Sequence, residues 1–251
     1  MIVNTLLRGL MAGLIGCSTL SVLYGHEPPP PLVQVCPPED LFAGDKANVT
    51  IRGLKDEYAI LRFEADVRPA NADRFVSLMT DAQTQGFEFI VLELNTPGGL
   101  VVDGHRMASA IEGSGKPVYC IVDGEASSMG FYILQSCARR LMTKTSTLMT
   151  HEPYEPSLYH TNRYALRSAL DRLEGEALEM IAYESRRMNI TRDEFVKRTA
   201  GESTDWRMTA VEALKYGAAD EVWPTVEAAT RSARDQWLAS RPSRPSFPPS
   251  P

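Results

Sequence analysis

The sequence predicts an α/β fold in which helices cover a parallel sheet. Between residues 58 and 149, short apolar runs alternate with segments whose apolar residues recur at helical spacing. This alternation favours a parallel sheet, because parallel strands must be joined by crossover connections. The composition, 43% hydrophobic and 23% charged, is ordinary for a globular protein and argues against wholesale disorder and a polytopic membrane protein.

Apolar runs rich in bulky and branched residues mark the predicted strands. They are Tyr58–Phe63, Phe87–Leu94 and Val118–Val122, and two short strand-like pieces lie within Arg140–Met149. Helical spacing predicts one helix that begins at Pro69 and is stopped by Gly86, and five more over Asp103–Ile111, Ser128–Cys137, Ser157–Met188, Arg192–Thr199 and Ala210–Tyr216.

The longest predicted helix carries a heptad-like apolar stripe. Its members step by four, three, four and three residues: Leu166, Leu170, Leu173, Ala177 and Met180. Two interpretations remain open, since such a stripe packs either on the core of its own domain or on a helix of another subunit.

The two ends of the chain are predicted to lie outside the folded domain. Residues 1–25 hold one cation and an apolar run, typical of a secretory signal, and Cys17 ends a tetrapeptide that resembles a bacterial lipobox. An uncleaved membrane anchor is the alternative. Residues 26–38 are a proline-rich linker, 240–251 a disordered Pro/Ser tail, and 39–239 the length of one domain. We therefore expect a protein of the cell envelope, on its periplasmic side, with attachment to the membrane through the N-terminus left open.

Charge and cysteine content argue against two classes of function, nucleic-acid binding and metal binding. The 26 Lys+Arg against 32 Asp+Glu give a formal charge of −6, which argues against nucleic acid as a partner. The four cysteines form no CxxC pair, so no metal site is indicated. Cys120 and Cys137 lie near the start of a strand and the end of the next helix. They are either a disulfide or two buried thiols.

Two small-residue turns follow two of the predicted strands. The first is Asn95–Gly99 (NTPGG) and the second is Gly124–Gly130 (GEASSMG). A serine between a strand and a helix lies where helix amides point outward, and paired glycines let another amide approach a substrate. The turns could therefore form an oxyanion hole beside a nucleophile, or they are merely turns.

A serine nucleophile needs a base, and the chain has only four histidines. His26 lies in the predicted linker, His105 on a helix, and His160 at the start of the long helix. His151 follows an apolar strand segment, at a strand end where catalytic side chains are often placed. It is therefore the candidate base.

Four ordered blocks carry a family resemblance: NTPGG, ASSMG, MTHEP and TDWRMTAVEALKYGAAD. Together they resemble the Clp-type (ClpP-like) serine peptidases of the ClpP/crotonase superfamily, over about Tyr58 to Val222. The resemblance implies an α/β fold with a repeated β-β-α spiral core and a long protruding helix.

The resemblance also assigns roles to residues of this chain. It implies Ser128 as nucleophile, His151 as base and Asp205 as acid of a triad, with the amides of Gly99 and Met129 as the oxyanion hole. It implies a peptide or unfolded protein as substrate, a homo-oligomer, and no cofactor. Since an exported enzyme lacks ATP, we expect no energy-dependent partner.

The segment after the glycine turn is the expected peptide-binding strand edge. Leu100, Val101 and Val102 would pair with an extended substrate there.

Three alternatives to a serine–histidine peptidase remain open. One is a Ser–Lys enzyme resembling signal-peptide peptidases, although Lys144, Lys197 and Lys215 lie in no matching context. Another is a crotonase-fold acyl-CoA enzyme, which would use carboxylate bases. The last is a catalytically silent scaffold of the same fold.

Overall fold

A mixed nine-stranded sheet organises the described part of the chain. The structure is a computed structural model that describes residues 32–33, 48–54, 58–154, 162–199 and 205–240. The predicted signal or anchor with Cys17, most of the predicted linker and residues 241–251 of the predicted tail lie outside these ranges. Leu32–Val33, within the predicted linker, pair with the next strand.

The sheet is parallel from its centre to one margin, and it is antiparallel at the other margin and in a short branch. In chain order, the strands are β1 (Leu32–Val33), β2 (Asn48–Leu54), β3 (Tyr58–Glu64), β4 (Phe89–Thr96), β5 (Val118–Ser127), β6 (Arg139–Thr143), β7 (Thr147–Thr150), β8 (Trp206–Thr209) and β9 (Glu221–Trp223). Their spatial order is β1-β2-β3-β4-β5-β6-β9, and β7 lies between the far end of β5 and β8. The pairs β1–β2, β2–β3 and β7–β8 are antiparallel and the others are parallel. The predicted parallel sheet is thus only a part of the whole sheet.

The first six helices follow the predicted order with small shifts at their ends, and the seventh was not predicted. They are α1 (Pro69–Thr84), α2 (Val101–Glu112), α3 (Met129–Gln135), α4 (Arg163–Met188), α5 (Arg192–Thr199), α6 (Ala210–Lys215) and α7 (Val226–Ser240). Pro69 occupies the first turn of α1, where its missing amide proton costs nothing. Thr209 and Glu212 form a capping box that starts α6 directly after β8. The predicted beginning of α4, residues 157–161, lies outside the described ranges.

Apolar residues cover both faces of the sheet. The larger cluster includes Phe63, Phe75 and Phe131 and lies under α1, α2 and α3. The smaller cluster lies under α7, where Trp237 stacks on Phe89 with ring centroids 4.9 Å apart. A sheet covered by helices on both faces is an α/β layer architecture, as predicted.

The apolar stripe of the long helix α4 is buried toward one end only. Met180 is 5% exposed and packs in the larger cluster, but Leu166 and Leu170 are 39% and 52% exposed. The heptad-like stripe therefore packs on its own core only along the second half of the helix. None of the described helices has both the length and the apolar character needed to cross a bilayer.

Cys120 and Cys137 form a disulfide, the first of the two interpretations of this pair. Their Cα atoms lie 5.9 Å apart, and the bond joins β5 to the end of α3. The closed loop contains Ser128. The bond therefore restrains the strand and the helix that flank the candidate nucleophile.

Removing the disulfide is expected to destabilise the fold. Cys120→Ala combined with Cys137→Ala should lower the free energy of unfolding by about 2–4 kcal/mol, because the unfolded chain gains conformational freedom. Guanidinium titration monitored by circular dichroism measures this change. A reducing agent should lower the transition midpoint of the wild type and leave that of the double variant unchanged. Equal midpoints for wild type and double variant would contradict the expectation.

Candidate active site

Ser128 lies on a sharp turn between β5 and α3 in a strained backbone conformation. Its φ of 54° and ψ of −121° are unusual for a residue with a side chain. The Ser128 amide donates to the Met149 carbonyl at 2.8 Å, and the Ser128 carbonyl accepts from the Phe131 amide at 2.9 Å. These bonds hold the strain in place, and such strain in a turn is typical of functional sites.

The predicted second turn is shorter than expected. β5 continues through Gly124 and ends at Ser127, so only Ser128 forms the turn. The neighbouring hydroxyl of Ser127 is buried and donates to Glu125 Oε2 at 2.7 Å. Of the two serines, only Ser128 is oriented toward the candidate base.

Ser128 and His151 are in hydrogen-bond contact. Ser128 Oγ lies 2.9 Å from His151 Nε2, and His151 Nδ1 lies 2.6 Å from the Glu152 carbonyl oxygen. A carbonyl can only accept, so the imidazole proton resides on Nδ1 and donates to Glu152. The lone pair of Nε2 is then free to accept the Ser128 hydroxyl proton, as a general base requires.

Asp205 lies beside His151 but is bonded elsewhere. In the antiparallel ladder, Thr150 pairs with Trp206, so His151 and Asp205 occupy the next opposed positions. The Asp205 carboxylate accepts from Arg207 at 2.8 Å, and its side chain is 43% exposed. The structure therefore brings the three predicted triad residues to one edge of the sheet, with Asp205 held by Arg207 instead of the imidazole.

The glycine turn packs directly against the serine. The Val67 amide donates to Gly98 O at 2.8 Å, and the Leu100 amide donates to Val67 O at 2.9 Å. A Cβ added to Gly98 would lie 2.8 Å from Ser128 Cβ and 2.9 Å from the Met129 nitrogen. The space between the two turns therefore depends on a glycine at this position.

The two predicted oxyanion-hole amides are available to a ligand. Within the described residues, the amides of Gly99 and Met129 donate to no other group. Met129 is the first residue of α3, where helix amides have no partner in the helix itself. Both amides belong to the turns that meet at Ser128, which is the arrangement required of an oxyanion hole.

A cavity of about 800 Å³ opens over these groups and is lined by Ser128, His151 and Asp205. The rest of its lining is mostly apolar: Val67, Pro69, Pro97, Leu100, Val101, Met149, Pro153 and Tyr154. The Tyr154 ring lies 5.7 Å from the His151 ring and is largely exposed. An ion pair between Asp66 and Arg68 forms the charged part of the rim.

The prediction that residues 100–102 form a peptide-binding strand edge is wrong, because these residues begin a helix. Val101 and Val102 are the first residues of α2, and the Leu100 amide is already used by Val67. The glycine turn ends β4, and the chain then enters the helix without a further strand. Leu100 and Val101 nevertheless line the cavity, whereas Val102 is exposed and does not.

The other sequence candidates lie away from this cavity. Lys144, Lys197 and Lys215 are exposed, and none of them lines it. The His105 ring packs on Tyr132 at 4.8 Å, while His160 falls outside the described residues. Nowhere in the described ranges do three or more His, Cys, Asp or Glu side chains form a potential metal site.

A family comparison covers most of the chain. Residues 44–226 match the sequence profile of the family described as Clp protease. The chain belongs to the Clp protease family. Family and fold together support a ClpP-type serine peptidase, and hence a hydrolase.

A solved structure of another Clp protein shares the fold. A point mutant of ClpP1 from Listeria monocytogenes superposes with a TM-score of 0.60 and 14% sequence identity. The match covers 68% of this chain and 94% of that chain. At this identity, the likeness establishes the ClpP fold alone.

Sequence reasoning missed three groups at or near this site. These are the Glu152 carbonyl that receives the imidazole proton, Arg207, and the buried Glu184 behind His151. Arg207 lies in β8 and Asp205 directly precedes that strand, and a spacing of two residues in extended chain places both side chains on one face and could have indicated the pair. No pattern in the sequence indicated Glu184.

Proposed function

We propose that this chain is a serine endopeptidase that uses Ser128, His151 and Asp205 as its catalytic triad. The observation that carries the proposal is the 2.9 Å contact between Ser128 Oγ and His151 Nε2, made by a serine on a strained turn. This contact favours serine–histidine chemistry over a lysine base or the carboxylate bases of an acyl-CoA enzyme. An assembled pair of this kind is also unexpected in a silent scaffold.

The proposed mechanism begins with attack on a peptide carbonyl. His151 Nε2 takes the Ser128 proton as the oxygen bonds to the carbonyl carbon, and later gives that proton to the leaving amine. The amides of Gly99 and Met129 would stabilise the oxyanion, each by about 3–4 kcal/mol in comparable enzymes. Water then hydrolyses the acyl-enzyme, with His151 again acting as base.

Completion of the triad requires a change at Asp205. Its carboxylate must leave Arg207 and accept the Nδ1 proton that Glu152 O holds in this structure. Asp205 would then orient the imidazole and stabilise its charged form. Because opposed residues of an antiparallel ladder lie close together, we propose that this exchange takes place by rotation of the Asp205 side chain.

We further propose an ATP-independent enzyme that acts on peptides or unfolded chains outside the cytoplasm, as a homo-oligomer. The disulfide of Cys120 and Cys137 supports an oxidising compartment, where such bonds persist. The exposed leucines of α4 offer a surface for a second copy.

Labelling with a fluorophosphonate probe tests the proposed function. The wild type should be labelled, since an activated serine displaces fluoride from the probe and forms a phosphonate ester, while Ser128→Ala and His151→Ala should lose essentially all labelling. Ser127→Ala is the matched control and should be labelled like the wild type, because that hydroxyl donates to Glu125. Labelling of Ser128→Ala at the wild-type level, or an unlabelled wild type, would refute the proposal.

A further inference from the structure

Glu184 is a carboxylic acid buried in the apolar interior, close behind the candidate base. It lies on α4, is 1% exposed, and its neighbours along the helix include the core residues Met180 and Met188. Its Oε2 atom accepts from the Thr150 hydroxyl at 2.8 Å. The other carboxyl oxygen, Oε1, is buried and finds no hydrogen-bond partner among the residues that the structure describes.

This arrangement costs stability. A buried polar atom without a partner carries a desolvation penalty, which an apolar side chain at the same position would avoid. Burial raises the pKa of the Glu184 carboxyl to about 8, and the bond from Thr150 only partly opposes this shift. Near neutral pH, the Glu184 carboxyl is therefore protonated, and its Oε2 atom accepts a hydrogen bond from the Thr150 hydroxyl. A costly group of this kind points to a role beyond packing.

Thr150, the hydrogen-bond partner of Glu184, is the last residue of β7. It pairs with Trp206 of β8, and the next residue is His151. The preceding residue, Met149, accepts from the Ser128 amide through its carbonyl. Three consecutive residues thus hold the nucleophile, contact Glu184 and supply the base.

From this geometry we propose that Glu184 is a positioning residue for His151. Its hydrogen bond with Thr150 fixes the end of β7 against α4, at the point where the chain leaves the sheet. Without that bond, the end of β7 is held only by its backbone hydrogen bonds, and the imidazole moves relative to Ser128 Oγ. Displacements of about 1 Å at reacting groups cost on the order of a hundredfold in rate. The inference rests on the proposed function, because it concerns the base of that site.

Variants of the pair test the proposal. Glu184→Leu and Thr150→Val should each lower kcat for peptide hydrolysis about tenfold or more, with KM unchanged, since substrate contacts remain. Glu184→Gln keeps an acceptor for the Thr150 hydroxyl and should recover most of the activity lost in Glu184→Leu. The double variant Glu184→Leu/Thr150→Val should be no slower than either single variant, because both remove the same bond.

Thr199→Val is the matched control for loss of a buried hydroxyl. Thr199 is fully buried, and its hydroxyl donates to Phe195 O within its own helix, α5. Its removal should leave kcat unchanged, with folding of every variant checked by circular dichroism. Wild-type kcat in both Glu184→Leu and Thr150→Val, an equal fall in Thr199→Val, or no recovery in Glu184→Gln would overturn the proposal.

A spectroscopic measurement separates this proposal from the proposed function. Spectra of protein with ¹⁵N-labelled histidine report the hydrogen bonds of His151 whether or not the enzyme turns over. Glu184→Leu should alter the Nε2 and Nδ1 signals of His151, and Glu184→Gln should restore them. A wild type that hydrolyses no peptide and does not react with the fluorophosphonate probe would refute the proposed peptidase function. Unchanged His151 signals in Glu184→Leu would refute the positioning role alone.

Discussion

Gly98→Ala is expected to lower kcat/KM at least a hundredfold. The residue has a φ of +89°, and its added Cβ would lie 2.4 Å from Ser127 O and 2.9 Å from the Met129 nitrogen. These contacts force the two turns apart, so the amides of Gly99 and Met129 no longer converge on one oxyanion. Loss of a single oxyanion donor costs roughly a hundredfold to a thousandfold in comparable enzymes. Steady-state hydrolysis of a fluorogenic peptide measures the effect.

Gly86→Ala is the matched control for the backbone strain alone. Gly86 also has a positive φ, of +74°, but no atom of the described residues lies within 4 Å of an added Cβ. It should lose stability, because a left-handed backbone disfavours alanine, and keep its kcat/KM. Equal losses of activity in the two variants would contradict the proposed role of the glycine turn. Wild-type activity in Gly98→Ala would contradict it too.

Asp205→Asn is expected to lower kcat on the order of a thousandfold to ten-thousandfold, with little change in KM. An amide cannot stabilise the imidazolium that forms when His151 takes the Ser128 proton, and it can favour the wrong tautomer. Stopped assays with a peptide ester and a peptide amide measure kcat for both substrates. A kcat within tenfold of the wild type would show that the Glu152 carbonyl alone orients the base.

Arg207→Gln is expected to change kcat in the opposite direction from Asp205→Asn. It removes the guanidinium that holds the Asp205 carboxylate in this structure, so Asp205 can turn to His151 at lower cost. Since this ion pair is largely exposed, its contribution is small and kcat should rise only about twofold to fivefold. A fall in kcat would show that Arg207 supports the working triad.

Much of the fold could be predicted because its signals are local. Buried runs such as Phe89–Thr96 and the proline that starts α1 appear in the sequence as apolar stretches and caps. α7 was missed because its buried face is made of small residues, Ala229 and Ala233, with a single large one, Trp237. β8 was missed as a strand because four residues are too few to establish a period.

In the candidate site too, some residues could be predicted from local patterns and others could not. Ser128 and His151 could be placed at the ends of strands from the pattern, but Asp205 came only from the family resemblance. The Asp205–Arg207 ion pair and the Thr150–Glu184 bond could not be predicted, since they depend on side-chain rotamers and on contacts between elements distant in sequence. The strained backbone of Ser128 likewise follows from the packing of the glycine turn against it.

The pairing of β7 with β8 also determines when, during synthesis of the chain, the candidate site can form. The ribosome delivers the glycine turn, Ser128 and His151 well before Asp205, and α7, which covers the smaller core, comes later still. A nascent chain that stops short of β8 holds a serine and a histidine without the acid and without the strand that aligns them. On the proposed mechanism, we therefore expect the chain to be inert during most of its own synthesis and to become active only once the C-terminal elements have folded onto the sheet.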